Sequence, residues 1–209
     1  MTEEENTRRW NEYFIPGTDV LKNKLGITDA TELKEKEVAI SFFKNVELQE
    51  NPIDLGFGVE HLRAIHQYLF SDIYPFAGQN RTVYMEKNNS YFAPVNEIDM
   101  RLQYTFDTME EEIKDVYTKH DLAVFLATYY SELLHIHPFR EGNGRSIREF
   151  IREYADGKSK DLPCGPMEFN WSNVDIDRVH EYIGLSLAFR STIEMEFDKA
   201  LVPIDKKQK

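Results

Sequence analysis

Twelve consecutive residues, HPFREGNGRSIR at positions 137–148, concentrate more polar chemistry than any other stretch of the chain. They combine a histidine, a carboxylate, two glycines, an asparagine and three arginines. Histidine changes its charge near neutral pH, so His137 is a candidate general base. A base beside several guanidinium groups is typical of a site for a phosphorylated substrate.

The two glycines predict an anion-binding helix start. Gly142 and Gly144 carry no Cβ, so a ligand can approach the backbone closely. The apolar residues that follow have helical spacing, and the first turn of a helix offers free N–H groups and a positive dipole end. We therefore predict that residues 142–144 bind phosphate, with the side-chain amide of Asn143 as a further donor.

The charged residues around the glycines fit an extended polyphosphate. Arg145 and Arg148 are three positions apart and lie on one side of the predicted helix. Guanidinium groups bind phosphate oxygens well, and Glu141 is a candidate ligand for Mg²⁺ bridging phosphates. Together with His137, this pattern predicts transfer of a phosphorus-centred group from a nucleotide to a hydroxyl.

The surrounding chain predicts an all-α fold with one small β-hairpin. Apolar stripes at helical spacing dominate. Strand-favouring residues flank the polar tetrapeptide at 87–90, which is the only convincing β signal. Asp29 and Asp121 are predicted N-caps. The helix after Asp29 is expected to bury a face formed by Leu33, Ile40, Phe43 and Val46, and the last helix a face that ends at Leu201.

Composition narrows the class of protein. Residues 1–209 are expected to form one domain, with its core at about 10–200 and a frayed C-terminal tail. A net charge of −12 disfavours nucleic acid and anionic membranes as partners. Cys164 is the single cysteine, and no apolar run approaches the roughly 18 residues of a membrane span. We expect a cytoplasmic protein, with secretion through a partner left open.

The stretch at 137–148 resembles the complete motif of the Fic family, HxFx(D/E)GNGRxxR, at every defining position. The segment GTDVLKNKLGI at 17–27, and the sequence PFAG at 75–78 followed by Arg81, also resemble bacterial Fic proteins. The resemblance covers most of residues 10–200 and implies the Fic helical core with a hairpin, called the flap, before the motif.

That resemblance implies transfer of AMP from ATP to a Ser, Thr or Tyr hydroxyl of a protein, this chain included, with pyrophosphate leaving. It implies that His137 is the base and that Phe139 packs inward to anchor the loop. Glu141 would bind Mg²⁺, and the remaining motif residues would bind the phosphates of ATP: Gly142, Asn143, Gly144, Arg145 and Arg148. The flap would hold the target as an added strand, at Met85, Glu86, Lys87 and Asn88.

Many Fic proteins are inhibited by a helix bearing (S/T)xxxE(G/N), whose glutamate pairs with the second motif arginine, here Arg148. The candidate glutamates in this chain are Glu35 and Glu32, with Glu196 behind them, and none is followed by Gly or Asn. A separate small antitoxin is the alternative. Two rival functions also stay open: transfer from another nucleotide such as UTP, and a nucleotide-binding toxin or partner module with little turnover.

Overall fold

The computed structural model describes residues 1–87, 90–182 and 190–204. It confirms a mainly helical fold with a small hairpin. The helices are α1 (Glu3–Glu12), α2 (Ala30–Glu50), α3 (Val59–Phe70), α4 (Ile98–Glu112), α5 (Lys119–Ile136), α6 (Asn143–Lys158), α7 (Ile176–Tyr182) and α8 (Arg190–Ala200). The strands are β1 (Glu86–Lys87), β2 (Ser90–Tyr91), β3 (Met167–Phe169) and β4 (Leu201–Pro203).

Helix α5 lies at the centre of the core and packs against α4, α6 and α8. Its apolar residues are buried around most of its circumference, as the sequence indicates. The predicted N-cap at Asp121 is wrong. Thr118 is the N-cap, because its backbone is extended and its hydroxyl accepts from Asp121 N, while the Asp121 carboxylate accepts from Thr118 N at 2.8 Å. The helix therefore begins three residues earlier and ends directly before His137.

Helix α2 begins at the predicted N-cap, Asp29, but its buried face differs from the prediction. Phe43 is 68% exposed and Val46 is 40% exposed. The inner face instead buries two polar residues, Glu37 and Ser41, because both face an arginine of α6. The outer face of α2, defined here as Val38, Phe42, Phe43 and Val46, is therefore apolar and exposed.

Two small antiparallel sheets accompany the helices. In the flap, Glu86 pairs with Tyr91 and Lys87 pairs with Ser90. The second sheet joins β3 to β4 and was not predicted, because its strands are far apart in sequence and each has only three residues. Leu201 pairs with Phe169 in this sheet, whereas the sequence pattern placed it on the last helix.

Some predicted features fall outside the described residues, namely Asn88 in the flap and the tail at 205–209. Within the described ranges, no helix has both the length and the apolar character that crossing a bilayer requires.

The two faces of α2 give a first test of the fold. Leu48 is 1% exposed, so Leu48→Ala should lower the free energy of unfolding by about 2–5 kcal/mol. Phe43→Ser should change it by less than about 0.5 kcal/mol, since the ring already contacts water. Urea unfolding of both variants measures the difference. A loss from Phe43→Ser as large as that from Leu48→Ala would show that the outer face is covered in solution.

Candidate active site

His137 occupies a left-handed turn at the end of α5. Its φ is 51° and its N–H donates to Leu133 O at 3.0 Å. Pro138 disfavours a helical conformation at the preceding residue, which explains why the helix ends here. A left-handed backbone is costly for a residue with a Cβ, so the surrounding structure must hold the turn in place.

The side chain of Arg81 binds the backbone of this turn. Its guanidinium is 1% exposed and donates to His137 O at 2.7 Å and to Ile136 O at 3.2 Å, which are the last carbonyls of α5. It also donates to Val83 O and Ala93 O, one on each leg of the flap. A buried cation at a helix C-terminus satisfies carbonyls that have no partner within the helix. In the sequence alone, Arg81 stands out only through the family resemblance.

The imidazole of His137 has the tautomer and the charge that a general base needs. Nδ1 lies 3.3 Å from Leu134 O, a group that only accepts, so the proton is on Nδ1 and Nε2 carries a free lone pair. The ring stacks on Phe92 of the flap, with the centroids 3.8 Å apart. Burial lowers the pKa of His137 to about 4, and the charges of Arg81 and Lys87 act in the same direction. His137 is therefore neutral at pH 7.

The loop after His137 is closed by Asn143. Its side-chain oxygen accepts from Phe139 N at 2.8 Å, and its amide group donates to Phe139 O at 2.7 Å. The side chain is buried and bonded to the loop through both its oxygen and its nitrogen, and the backbone N–H of Asn143 has no acceptor among the described residues. Phe139 is itself fully buried and stacks on His66, with the centroids 3.8 Å apart.

Only glycine fits at position 142. Gly142 has φ +83°, and a Cβ there would lie 2.4 Å from the ring of Phe70. Helix α6 starts at the next residue, and Ser146 N is its first amide to bond back, to Gly142 O. The N–H groups of Asn143, Gly144 and Arg145 have no acceptor in the described part of the chain, as a helix start that binds an anion requires. The anion site predicted at 142–144 stays a prediction, and Gly142 N already donates to Glu141.

The two distal arginines of the motif line a groove of about 400 Å³ between α2 and α6. Arg145 donates to Glu37 Oε1 at 2.5 Å and to Ser41 Oγ at 3.0 Å, both on α2. Arg148 has no carboxylate within 4 Å among the residues described. Both guanidiniums therefore face one groove. Of the two, only Arg145 is paired with a carboxylate of the described residues.

Glu37 is the acidic residue that the sequence analysis missed. It is buried on α2, and its second oxygen accepts from the hydroxyl of Tyr74. In the sequence, Glu37 is one of several charged residues of a helix. The apolar residues of the outer face made that face look buried, so nothing in the sequence pattern singled out Glu37. Glu37 fixes the guanidinium of Arg145 at the edge of the groove.

The candidate inhibitory glutamates lie elsewhere. Glu32 and Glu35 are exposed on α2. Glu196 is buried on α8, where it accepts from Lys199 Nζ at 2.7 Å and lies 3.4 Å from Arg178 Nη1. In the described ranges, none of the three pairs with Arg148.

Glu141 lies at the mouth of the site with its side chain 36% exposed. One oxygen accepts from Gly142 N at 3.0 Å and lies 3.5 Å from Arg145 Nη2. Its other oxygen has no partner among the described residues. A single accessible carboxylate beside a phosphate site fits Mg²⁺, which commonly takes one or two carboxylates plus substrate phosphates.

The flap lies over His137. Glu86 and Lys87 are exposed on β1, while Met85 O accepts from Phe92 N at 3.2 Å to close the hairpin. Ala93 N then donates to His135 O at 3.2 Å, which joins the second leg of the flap to α5. The structure thus places the described flap residues directly beside the candidate base.

Residues 56–155 match the Fic/DOC family. Among curated relatives, protein adenylyltransferase VbhT of Bartonella schoenbuchensis is 37% identical over 144 residues, which is 68% of this chain and 30% of VbhT. The chain therefore spans about a third of that relative. A Salmonella typhimurium protein named "Probable protein adenylyltransferase Fic" is 33% identical over 144 residues, 68% of this chain and 71% of that protein.

The fold is also found in solved structures. The crystal structure of BepC from Bartonella tribocorum, a VirB-translocated effector protein with bound AMPPNP, superposes with a TM-score of 0.82. The match covers 93% of this chain and 98% of that one at 22% identity.

His66 connects α3 to the motif loop and makes the site sensitive to acid. Nε2 donates to Glu141 O at 2.9 Å, and Nδ1 accepts from Gly78 N at 2.8 Å, so the ring is held neutral. Burial lowers the pKa of His66 to about 4. The unfolded chain therefore binds a proton at this residue before the folded chain does, and stability is lost as pH falls from about 6.5 towards 4.

We expect His66→Gln to reduce this acid sensitivity. Between pH 7 and 4.5 the variant should lose roughly 2–3 kcal/mol less unfolding free energy than the native chain. Urea unfolding at the two pH values measures this. The exposed His135 is the matched control, because His135→Gln makes the same change at the surface and keeps both hydrogen bonds of His66, so it should not reproduce the effect of His66→Gln. Equal pH dependence in His66→Gln and the native chain would contradict the assignment.

Proposed function

The chain belongs to the Fic/DOC family, and on that premise we propose that it is a protein adenylyltransferase. It transfers AMP from ATP to a Ser, Thr or Tyr hydroxyl of a protein, and pyrophosphate leaves. The observation that carries the proposal is the pairing of a neutral His137, with Nε2 free, and the anion-binding start of α6. A site that only bound nucleotide would have no use for such a base.

The chemistry follows from this geometry. The target hydroxyl donates its proton to Nε2 of His137 while its oxygen attacks the α-phosphorus. The bond from the α-phosphorus to the bridging oxygen breaks, and the electron pair leaves with pyrophosphate. The backbone N–H groups of Asn143, Gly144 and Arg145, which have no acceptor in the described part of the chain, stabilise the charge on the phosphate oxygens, as the amides of a helix start do. Arg145 and Arg148 bind the outer phosphates.

Glu141 is the residue proposed to hold Mg²⁺. When bound, the ion neutralises phosphate charge and fixes the orientation of the phosphates. The accessible carboxylate of Glu141 supports this role. Its bond to Gly142 N keeps the side chain at the start of α6.

The flap is proposed to dock the target. Its residues Met85, Glu86, Lys87 and Asn88 would bind an extended segment through main-chain hydrogen bonds. Two facts support this: β1 is a short exposed strand with a single described partner, and Phe92 of the same hairpin contacts His137. A segment added here would bring its hydroxyl to the base.

Inhibition is proposed to come from a separate antitoxin. The outer face of α2 is apolar and exposed, and its residues Val38 and Phe42 line the same groove as Arg148. A helix placed in this groove would cover the apolar residues and could present a carboxylate to Arg148.

The single cysteine is consistent with action in a reducing compartment such as the cytoplasm.

Labelled ATP tests the reaction. In Mg²⁺, we expect protein-bound label from the α-phosphate of ATP and none from the γ-phosphate. His137→Ala should lower the labelling rate by about 10²–10⁴-fold, because the base is removed. His135→Ala is the matched control and should label normally, since that side chain is exposed. Label from the γ-phosphate, or full activity of His137→Ala, would overturn the proposal.

The source of inhibition has its own test. If no internal helix inhibits the chain, the double variant Glu32→Gly, Glu35→Gly should label at the native rate, because neither carboxylate reaches Arg148. Initial rates with α-labelled ATP measure this. A tenfold or greater rise in the double variant would establish an internal inhibitor on α2 and remove the need for a partner.

A further inference from the structure

Arg140 lies inside the motif but does not join the phosphate groove. Its guanidinium carbon is 4.1 Å from the ring centroid of Trp10, 5.5 Å from that of Tyr13 and 5.3 Å from that of Phe14. The side chain is 7% exposed, and its Nε has no hydrogen-bond partner in the described structure. Arg140 is therefore bound by aromatic faces, which attach the motif loop to α1 and the turn after it.

The same N-terminal segment also holds the flap. Asn6 Oδ1 accepts from Tyr84 N at 2.7 Å. The hydroxyl of Tyr13 accepts from Thr82 N at 3.0 Å. Thr82 and Tyr84 lie in the segment that leads directly into β1. Side chains of the N-terminal segment therefore bind this edge of the flap.

A series of contacts connects this edge of the flap with His137. Met85 follows the held segment, and its carbonyl accepts from Phe92 N. The ring of Phe92 stacks on His137. Arg81 anchors both legs of the flap from the other side. The start of the flap is therefore held by Arg81 on one side and by the N-terminal segment on the other.

Helix α1 contributes little to the core. None of its residues is fully buried, and its first turn is stabilised locally by Thr2, whose hydroxyl accepts from Glu5 N. Two ion pairs add local support: the exposed pair of Arg8 with Glu12 and the half-buried pair of Arg9 with Glu5. It also lies outside residues 56–155, the part that matches the family. Its contacts through Asn6 and Trp10 go to the flap and the motif loop, so core stability does not explain them.

We propose that the segment formed by α1 and Tyr13 is a positioning element of the active site. It holds the motif loop through Arg140 and the flap through Thr82 and Tyr84, so that Phe92 remains stacked on His137. The inference rests on the proposed role of His137 as the base. Asn6 and Tyr13 are positioning residues, because they act on His137 only through the flap.

The double variant Asn6→Ala, Tyr13→Phe tests this, since it removes both acceptors and keeps the aromatic ring under Arg140. The matched control is Arg8→Ala, an exposed change on the same helix. By NMR, the Tyr84 amide should exchange at least about tenfold faster in the double variant. The pKa of His137 should rise from about 4 towards 6.5, because the ring loses its cover.

Labelling from α-labelled ATP should slow by about tenfold or more in the double variant, while the affinity for AMPPNP stays native. The control should match the native chain in every measurement. A native pKa of His137 together with a native labelling rate in the double variant would overturn the proposal. If the double variant does not fold, the same measurements on Tyr13→Phe alone decide, because the ring and its packing are retained.

The NMR measurements need no catalytic turnover. If the native chain does not label from the α-phosphate, the proposed function fails. The positioning of His137 by the N-terminal segment is then still decided by the exchange of the Tyr84 amide and by the pKa of His137.

Discussion

The active site depends on one buried cation. The guanidinium of Arg81 binds carbonyls from the end of α5 and from both legs of the flap. Burial lowers the pKa of Arg81 to about 10, so it stays charged at neutral pH, and its removal would leave several buried carbonyls without donors. Because these carbonyls belong to separate segments, this one side chain joins both legs of the flap to the turn at His137.

The start of α6 is built on a second constraint, the ring of Phe70. The ring lies where a Cβ of residue 142 would be. It also packs at a tilt against His66, and its centroid is 4.7 Å from the guanidinium of Arg145. The loop can therefore approach the core closely only at a glycine. This close approach places the start of α6, with its amides that have no acceptor among the described residues, directly after the loop.

Most polar side chains of the motif already have a partner in the folded chain. Asn143 is engaged with Phe139, Arg140 with aromatic rings, and Arg145 with Glu37. Among the described residues, Nε2 of His137, the first amides of α6 and one oxygen of Glu141 have no partner, and the guanidinium of Arg148 bonds to Tyr130 but faces no carboxylate. A site built in this way is preorganised, because its donors need little rearrangement when phosphate binds.

Much of this could be predicted from the sequence. The helical spacing of apolar residues predicted the fold class, the polar tetrapeptide predicted the flap, and the motif predicted where the site lies. These signals are local: they depend on residues within one or two turns of a helix or one hairpin. The predictions that were wrong, such as burial of Phe43 and Val46, also came from local patterns. Phe43 and Val46 were assigned to the core because periodicity identifies an apolar side of a helix but not what covers it.

The sequence by itself determined the chemistry available at 137–148: a base, a carboxylate, a flexible helix start and two guanidiniums on one side. Only the tertiary structure decided which of these groups are free. The pairing of Glu37 with Arg145 joins residues 108 positions apart, and that of Arg81 with the end of α5 joins residues about fifty apart. Such contacts leave no periodic trace in a single sequence, because they are formed only when distant elements pack.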